Sequence, residues 1–352
     1  MLALALGVIL LGTLLREGHP RATGLPEGAP RAAVPAVAAV AGQPAGEELC
    51  TPTDPRLDEL SGLATDGKRW FAVGDSAPRL EVMVLDPQTC GVADVVTADI
   101  DPYDIDPYDV EDLALAADGA LWLADTGDNY RIRRNVALHR LDTDGDVTTF
   151  QLVYPDGPHD VEALLLDSAG VPYLVTKDIF GAAGVYRPAG GLAVPGPTPL
   201  QRVASLQLGP TDTPGGPLGL GSSLVTGAGV SPDGTVLALR TYTDAYLYAA
   251  PDEDVVAALR RPPIRIPLPD EPQGEAVALA ADGRLLSGSE GGAPIRALRR
   301  ATALLGVLPS APSAVAGPAR DHQAHWPTWQ AAGVAAGVVI GLALLTRRRR
   351  RA

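Results

Sequence analysis

A short pattern repeats five times along this chain and limits what it can fold into. Each copy is an apolar run, a turn that ends in glycine, and a second apolar run. The copies begin at Leu60, Glu111, Glu162, Thr226 and Glu275. Apolar runs hinged on Asp-Gly turns are typical of β-hairpins. The last four copies are 51, 64 and 49 residues apart, and a period of about 50 residues with several strands per unit is typical of propeller blades.

Five such units predict an all-β fold, a five-bladed β-propeller over residues 49–300. A six-bladed ring is the alternative, because the longer interval from Glu162 to Thr226 contains Gly- and Pro-rich segments at 188–199 and 209–221. The last unit is short and ends near Arg300. Since a propeller must close into a ring, we expect residues 51–60 to supply the missing strand.

The two ends of the chain predict export and a membrane anchor. Residues 1–24 contain an apolar run of signal-peptide length, which alternatively remains in place as an N-terminal anchor. Residues 326–346 combine two tryptophans with an apolar stretch, and five arginines follow in the tail, 347–352. This order is typical of one transmembrane helix whose C-terminus is cytoplasmic. We therefore expect a single-pass cell-membrane protein whose propeller domain is extracytoplasmic.

Composition divides the rest of the chain. Residues 25–48 are Ala- and Pro-rich without periodicity, which predicts a disordered lead-in, and residues 301–325 predict a flexible stalk in the same way. Cys50 and Cys90 are the only cysteines. An even pair in an exported domain predicts a disulfide, with two unpaired thiols as the alternative.

The charge of the chain argues against one class of partner. The net charge is −14 at pH 7, and setting aside the five arginines of the tail leaves about −19 (−14 − 5). Nucleic acid is therefore excluded as a partner, because its phosphates would be repelled. An acidic surface also serves solubility, so the charge alone does not define a site.

The beginning of each repeat is where chemistry is expected. The first strand of a propeller blade lines the central channel, so Glu111, Glu162 and Glu275 are predicted to converge on the axis. Carboxylates that converge repel one another unless a cation lies between them, and oxygen ligands suit Ca²⁺. Asp109 and Asp160 lie two residues ahead of a glutamate and share its side of an extended strand. The alternative is that these carboxylates accept backbone hydrogen bonds at strand ends.

Further acidic segments and one histidine are weaker candidates. Asp125 opens the segment 125–129, which predicts either a metal ligand and proton-transfer group or Asx turns. His159 is a candidate general base beside Asp160. The tandem at 99–109 is predicted to be a solvated loop, and 142–146 a hairpin turn, since its glycine comes too early for a calcium loop.

Six segments together resemble known exported bacterial β-propellers, and they begin at Glu59, Asp109, Asp125, Tyr154, Glu162 and Gly274. They are similar to the SdiA-regulated and esterase-like phytase propeller families, and more loosely to NHL-type propellers. The resemblance covers about residues 50–300 and implies a propeller with bound Ca²⁺ and phosphoester or ester hydrolysis. The chain departs from calcium-dependent phytases because lysine is nearly absent, which leaves no basic cluster for phosphate.

Two functions remain open from the sequence. The first is a membrane-tethered propeller that binds a cation or a small polar ligand at an acidic central channel. The alternative is a Ca²⁺-dependent hydrolase of small esters, lactones or phosphoesters, with Glu111, Glu162 and Glu275 as ligands and with Asp125 or His159 moving protons. The fold does not choose between them.

Overall fold

The computed structural model describes residues 38–39, 46–75, 79–98, 109–178, 182–217 and 221–307. All of them lie within one compact unit, Met1–Leu308. The predicted signal segment, most of the lead-in, the tandem at 99–108, the transmembrane segment 326–346 and the tail 347–352 lie outside the described residues. No helix in the described part of the chain is long and apolar enough to cross a membrane.

The described residues form mostly β-strands, numbered here in chain order. Two strands precede the repeat, β1 (Ala38–Ala39) and β2 (Glu47–Cys50). Short helices occur at Pro55–Leu57, Val255–Leu259 and Ala301–Val307. The strands of the repeat are β3 (Leu60–Thr65), β4 (Trp70–Gly74), β5 (Leu80–Leu85), β6 (Val92–Ala98), β7 (Val110–Leu115), β8 (Leu121–Asp125), β9 (Val136–Leu141), β10 (Val147–Val153), β11 (Val161–Leu166), β12 (Pro172–Thr176), β13 (Ala182–Pro188), β14 (Thr198–Gln207), β15 (Val225–Val230), β16 (Val236–Thr241), β17 (Asp244–Ala249), β18 (Ile264–Pro267), β19 (Gly274–Leu279), β20 (Leu285–Ser289) and β21 (Ile295–Leu298).

These strands pair as antiparallel meanders. Strands β3 to β6 form one sheet, and β15 to β18 form another with β1 added at its edge. Strands β7 to β10 and β11 to β14 are joined into one eight-stranded sheet, because β10 also pairs in parallel with β14. The last sheet has the order β19-β20-β21-β2. The chain is therefore all-β, as predicted.

The strands that begin each meander lie side by side. We call β3, β7, β11, β15 and β19 the first strands. Each contacts the next along the chain, and β19 contacts β3, so that their contacts run in a circle. An apolar cluster lies between each pair of successive meanders, for example around Leu113 and Leu123 between the β3–β6 and β7–β10 strands. This arrangement is propeller-like.

The last sheet is completed from a different segment than we expected. We predicted that residues 51–60 supply its missing strand. Instead, β2 pairs antiparallel with β21, and residues Pro55–Leu57 form a 3₁₀ turn. Pro52 and Pro55 explain part of this, because proline lacks the N–H that a paired strand donates.

The predicted disulfide is present between Cys50 and Cys90. Cys50 ends β2 in the last sheet, and Cys90 lies in the turn between β5 and β6. The bond therefore links the last sheet to the first. Closing a loop over a sequence separation of 40 residues stabilises a fold by about 4 kcal/mol in the chain-entropy model.

Both predicted boundaries of the repeat domain shift outward. Strand β2 begins at Glu47, inside the segment 25–48 that we predicted to be disordered. After β21, the 3₁₀ helix Ala301–Val307 occupies the start of the predicted stalk. Ala301 is fully buried, and Leu304 and Leu305 pack against the same apolar cluster. Apolar side chains that find a core surface fold onto it, whatever the composition of the surrounding segment.

Candidate functional site

A β-bulge occurs at the same place in all five first strands. In each, the pairing with the following strand shifts register at the second residue. The extra residues are Ser61, Glu111, Glu162, Thr226 and Glu275, and all of them are buried. A bulge re-aims the side chain of its extra residue. The repeat positions predicted from the sequence are therefore equivalent in the structure, and the bulge explains why they differ from the strand residues around them.

Three of the predicted carboxylates come together. One carboxylate oxygen from each of Glu111, Asp160 and Glu162 lies within 4.8 Å of the other two. We call these three residues the carboxylate cluster. All three are buried, and Oε2 of Glu162 has no hydrogen-bond partner among the described residues. Clustered hard oxygen donors with an unused buried oxygen are suited to hold a metal ion.

The other two predicted ligands lie beside this cluster. Burial and the negative charges of the cluster raise the pKa values of both residues: the charge of Asp160 raises the pKa of Asp109, and that of Glu162 raises the pKa of Glu275. Glu275 accepts a hydrogen bond from Gln273 Nε2 (3.1 Å), which also donates to Glu290 (2.5 Å). The acidic group therefore extends beyond the residues that the repeat pattern singled out.

Lys177 supplies a positive charge inside this acidic group. Its Nζ donates to Oε1 of Glu162, and it lies 5.0 Å from the centre of the Tyr242 ring. Its side chain is only 14% exposed. Sequence reasoning missed this role, although the chain has just two lysines and one of them stands at the end of a strand. The protein itself therefore places one positive charge among the carboxylates, and the predicted metal ion stays a prediction.

Burial and mutual repulsion raise the pKa values of these acids. Burial, followed by the charge of Glu162, holds the pKa of Glu111 and Glu275 well above the ordinary value. Burial raises the pKa of Glu162 to about 8, although Lys177 opposes this shift. Burial disfavours the ammonium of Lys177, but Glu162 and its acidic neighbours outweigh it and hold the Lys177 pKa well above its usual range. The site therefore favours positive charge, whether as protons or as a metal ion.

The loop after β8 forms a wall of the site. The backbone N–H of Asp128 donates to Asp160 (2.9 Å). Gly127 lies so close to the acids that a Cβ there would be 2.2 Å from Oε1 of Glu111. Only glycine allows the backbone to approach in this way. The segment 125–129 thus contributes backbone packing to the carboxylate cluster.

Asp125 itself is engaged elsewhere. It is fully buried, forms an ion pair with Arg133 (2.9 Å), and lies 3.5 Å from Nε2 of His139. The ring of His139 also contacts Thr149 through Nδ1 (3.0 Å). These contacts hold the loop against β9 and β10, so the structure gives Asp125 a supporting position next to the site.

The structure places His159 in a separate polar group. Its Nε2 lies 2.9 Å from Asp156 and 3.0 Å from the hydroxyl of Tyr186, which itself donates to Asp156 (2.7 Å). Its ring also packs edge-on against Tyr154. The neighbouring Asp160 reaches the carboxylate cluster, whereas the contacts of the His159 ring lie with Asp156 and the two tyrosines. The segment 142–146 forms the predicted hairpin turn, with Gly145 at φ +96°.

Asp112 fastens the first strands together behind the carboxylate cluster. Its carboxylate accepts backbone N–H groups from Leu113, Leu164 and Ala228, which belong to β7, β11 and β15. It is fully buried. Beyond it, the ends of the first strands line a cavity of about 350 Å³ whose walls include Leu63 and Val230. One buried carboxylate therefore separates an acidic end of the ring of first strands from an end whose cavity has both apolar and polar walls.

The pKa of Asp109 leads to a prediction on stability. Burial and Asp160 raise it to about 6 from an ordinary 3.8. A raised carboxyl pKa means that the native state holds its proton between those values, so its contribution to stability is lost as the pH rises through about 6. We expect Asp109→Asn to remove this loss. The Tm of the variant minus the Tm of the wild type should therefore be larger at pH 8 than at pH 4.

Thermal unfolding followed by circular dichroism at both pH values checks this. Asp144→Asn is the matched control, because Asp144 lies in the exposed hairpin turn. An equal Tm difference between Asp109→Asn and the wild type at pH 4 and pH 8 would contradict the prediction.

The strand order and the buried acids define an all-β, propeller-like protein with an acidic site where its first strands begin. No family model and no curated protein matches the chain, so the resemblance to the SdiA-regulated and esterase-like phytase families stays a prediction.

Among solved structures, the chain is similar to a catalytically inactive virginiamycin B lyase from Staphylococcus aureus with quinupristin. The identity is 13%, over 70% of this chain and 68% of that chain, with a TM-score of 0.37. It is also similar to a luciferin-regenerating enzyme (13% identity, 66% and 71% covered, TM-score 0.40). A hydrazine synthase of Kuenenia stuttgartiensis is a third (11%, 67% and 70%, 0.35). Likenesses this distant assign no activity to the chain.

Proposed function

We propose that this protein is a membrane-tethered, extracytoplasmic, five-bladed β-propeller that binds a divalent cation of the Ca²⁺ class at Glu111, Asp160 and Glu162. One observation carries the proposal: the buried, unpartnered Oε2 of Glu162 lies in a group of three carboxylates whose oxygens are within 4.8 Å of each other. Leaving a buried polar atom without a partner costs about 1 to 3 kcal/mol, and a bound cation removes that cost.

Two features support the proposed blade number. Each first strand begins a meander of four strands, with β2 completing the last one. The contacts between first strands run from β3 through β19 and back to β3. The long interval from Glu162 to Thr226 suggested a sixth blade. In the part that the structure describes, the extra length forms the ten-residue strand β14 and loops.

The choice of cation follows from the donor atoms. Carboxylate oxygens are hard ligands that suit Ca²⁺ or Mg²⁺, and the described part of the site offers no thiolate to favour a softer metal. A doubly charged ion favours the ionised forms of Asp109 and Glu275, whose negative charge then adds to that of the three ligands. Ca²⁺ tolerates irregular geometry better than Mg²⁺ does.

The proposed location rests on sequence and on the disulfide. The Cys50–Cys90 bond fits an oxidising compartment outside the cytoplasm. The apolar segment 326–346, followed by five arginines, supports an anchor whose C-terminal tail is cytoplasmic. The partners that follow are the cell membrane and an extracytoplasmic ligand.

Calorimetric titration of the full-length chain with Ca²⁺ tests the proposal. We expect a Kd of about 10⁻⁴ to 10⁻³ M, the range of extracellular modules, and about tenfold weaker binding by Glu162→Gln because one ligand charge is lost. Glu253→Gln, an exposed glutamate outside the site, should bind as the wild type does. No heat of binding, or equal binding by Glu162→Gln, would rule out the site.

A hydrolase is the second candidate, and one observation favours it. Asp109 has a pKa raised to about 6 by burial and by Asp160, and it lies beside the three proposed ligands without being one of them. An acid that titrates near neutral pH is suited to proton transfer. In this scheme Asp109 replaces Asp125 and His159 as the candidate base. Ca²⁺ binding without turnover of esters, lactones or phosphoesters would rule out the hydrolase and retain the binding function.

A further inference from the structure

Lys177 is held in the site by the same segment that supplies two of the carboxylates. Its backbone N–H donates to the carbonyl of Asp160 (2.9 Å) immediately after β12 ends. Its side chain then reaches Oε1 of Glu162, two residues further along β11. The ammonium is therefore positioned by backbone and side-chain contacts with one short stretch of chain.

The ammonium of Lys177 interacts with several acidic side chains. Lys177 acts electrostatically on six carboxylates, those of Asp109, Glu111, Asp160, Glu162, Glu275 and Glu290. Arg133, the other cation close to this group, is already engaged with Asp125 and with the carbonyl of Gly127, both at 2.9 Å. The single charge of Lys177 therefore cannot neutralise six ionised carboxylates, so further positive charge is needed, as protons or as a metal ion, when these acids ionise.

Lys177 also has a second set of partners. Tyr242 lies under its ammonium, with the ring centre 5.0 Å away. Glu275 attracts the same ammonium electrostatically. An ion that takes Glu162 from Lys177 would thus leave the ammonium with the aromatic ring of Tyr242 and the carboxylate of Glu275.

We propose that Lys177 is the resident cation of the carboxylate cluster and determines its specificity: a divalent ion displaces the ammonium from Glu162, whereas monovalent cations do not. This inference rests on the proposed cation site and adds what selects the ion. Lys177 occupies one oxygen of Glu162, and an ion bound at the other oxygen and at Glu111 or Asp160 would lie against the ammonium. Displacement relieves that repulsion.

The selection follows from charge and tethering. A side chain attached to the site competes at an effective concentration in the millimolar range or above. A monovalent ion offers the carboxylates no more charge than the ammonium already does. A divalent ion interacts about twice as strongly with each carboxylate at a given distance, so it alone has an electrostatic advantage over Lys177.

The first experiment replaces Lys177 with methionine, which keeps the length of the side chain and removes the charge. Calorimetry with Ca²⁺ is expected to show at least about tenfold tighter binding by Lys177→Met than by the wild type, because no ammonium has to be displaced. Methylammonium, a free copy of the lost group, should raise the Tm of Lys177→Met and leave that of the wild type unchanged. Lys68→Met, at an exposed turn position, is the matched control and should behave as the wild type in both assays.

A second variant keeps the charge and provides a result even if Lys177→Met does not fold. The guanidinium of Lys177→Arg can hold both oxygens of Glu162 through a bidentate contact, which Lys cannot do. We expect Lys177→Arg to bind Ca²⁺ about tenfold more weakly than the wild type. Circular dichroism of each variant verifies that it is folded.

The outcomes separate this inference from the function on which it rests. Ca²⁺ binding that weakens in folded Lys177→Met, or that is unchanged in Lys177→Arg, would overturn the role of Lys177 as the displaced cation. If no variant binds Ca²⁺ but methylammonium stabilises Lys177→Met alone, the proposed function fails while Lys177 as resident cation is supported.

Discussion

Replacing Asp112 with alanine is expected to lower the free energy of unfolding by about 3 to 5 kcal/mol. The carboxylate accepts N–H groups from three different first strands, at Leu113 (2.8 Å), Leu164 (2.7 Å) and Ala228 (3.0 Å). Alanine leaves all three buried donors without a partner, and each unsatisfied group costs about 1 to 3 kcal/mol. Urea unfolding followed by circular dichroism measures the loss.

Asp112→Asn makes this prediction sharper. Oδ2 of Asp112 accepts two of the three N–H groups, and the amide oxygen of asparagine can take over that role. The amide nitrogen would then face the N–H of Leu113, donor against donor. We therefore expect Asn to destabilise less than Ala does, while Asp144→Ala in the exposed hairpin turn changes stability little. Equal effects of Asp112→Ala and Asp144→Ala would show that Asp112 does not hold the first strands together.

Breaking the buried ion pair of Arg240 and Glu271 is the second large effect that we expect. The Arg240 guanidinium is fully buried and donates to Glu271, to Ser287 (2.5 Å) and to the carbonyl of Ala276 (3.0 Å). Arg240→Met leaves the Glu271 charge buried and unpaired. Removing one partner of a buried pair costs about 3 to 5 kcal/mol.

The double variant Arg240→Met/Glu271→Met distinguishes the cost of an unpaired charge from the loss of packing. With both charges replaced by apolar side chains, we expect a loss well below the sum of the two single variants, because no buried charge is left alone. Urea unfolding of the wild type, both single variants and the double variant gives the coupling free energy directly. Additive losses would show that the two side chains stabilise the fold independently.

The repeat made the outline of the fold predictable. Its apolar runs and glycine turns gave the all-β class, and its starting positions gave Glu111 and Glu162, which the structure brings together with Asp160. The disulfide was also predictable, because a chain with two cysteines offers one pairing. The repeat is a local sequence pattern, and the disulfide follows from the number of cysteines.

Features that depend on contacts between residues far apart in the sequence were not predictable in the same way. The β-bulge at each first strand is not readable from the residue pattern, which shows a polar residue at the second position of an apolar strand but not the shift in pairing. Lys177 lies outside the repeated positions, and its place beside Glu162 follows from the pairing of β12 with β11. Strand β2 was hidden because an Ala- and Pro-rich neighbourhood resembles disorder until β21 provides an edge to pair with.

The route by which β2 joins the last sheet affects the order of assembly. Glu48 and its partner Arg296 are 248 residues apart, so the pairing of β2 with β21 must wait until almost the whole repeat has been synthesised. Cys50 and Cys90 are only 40 residues apart and are available much earlier. A bond between them holds β2 near the first sheet, which shortens the effective loop for the final pairing. The covalent link thus lowers the chain entropy that is lost when β2 and β21 pair.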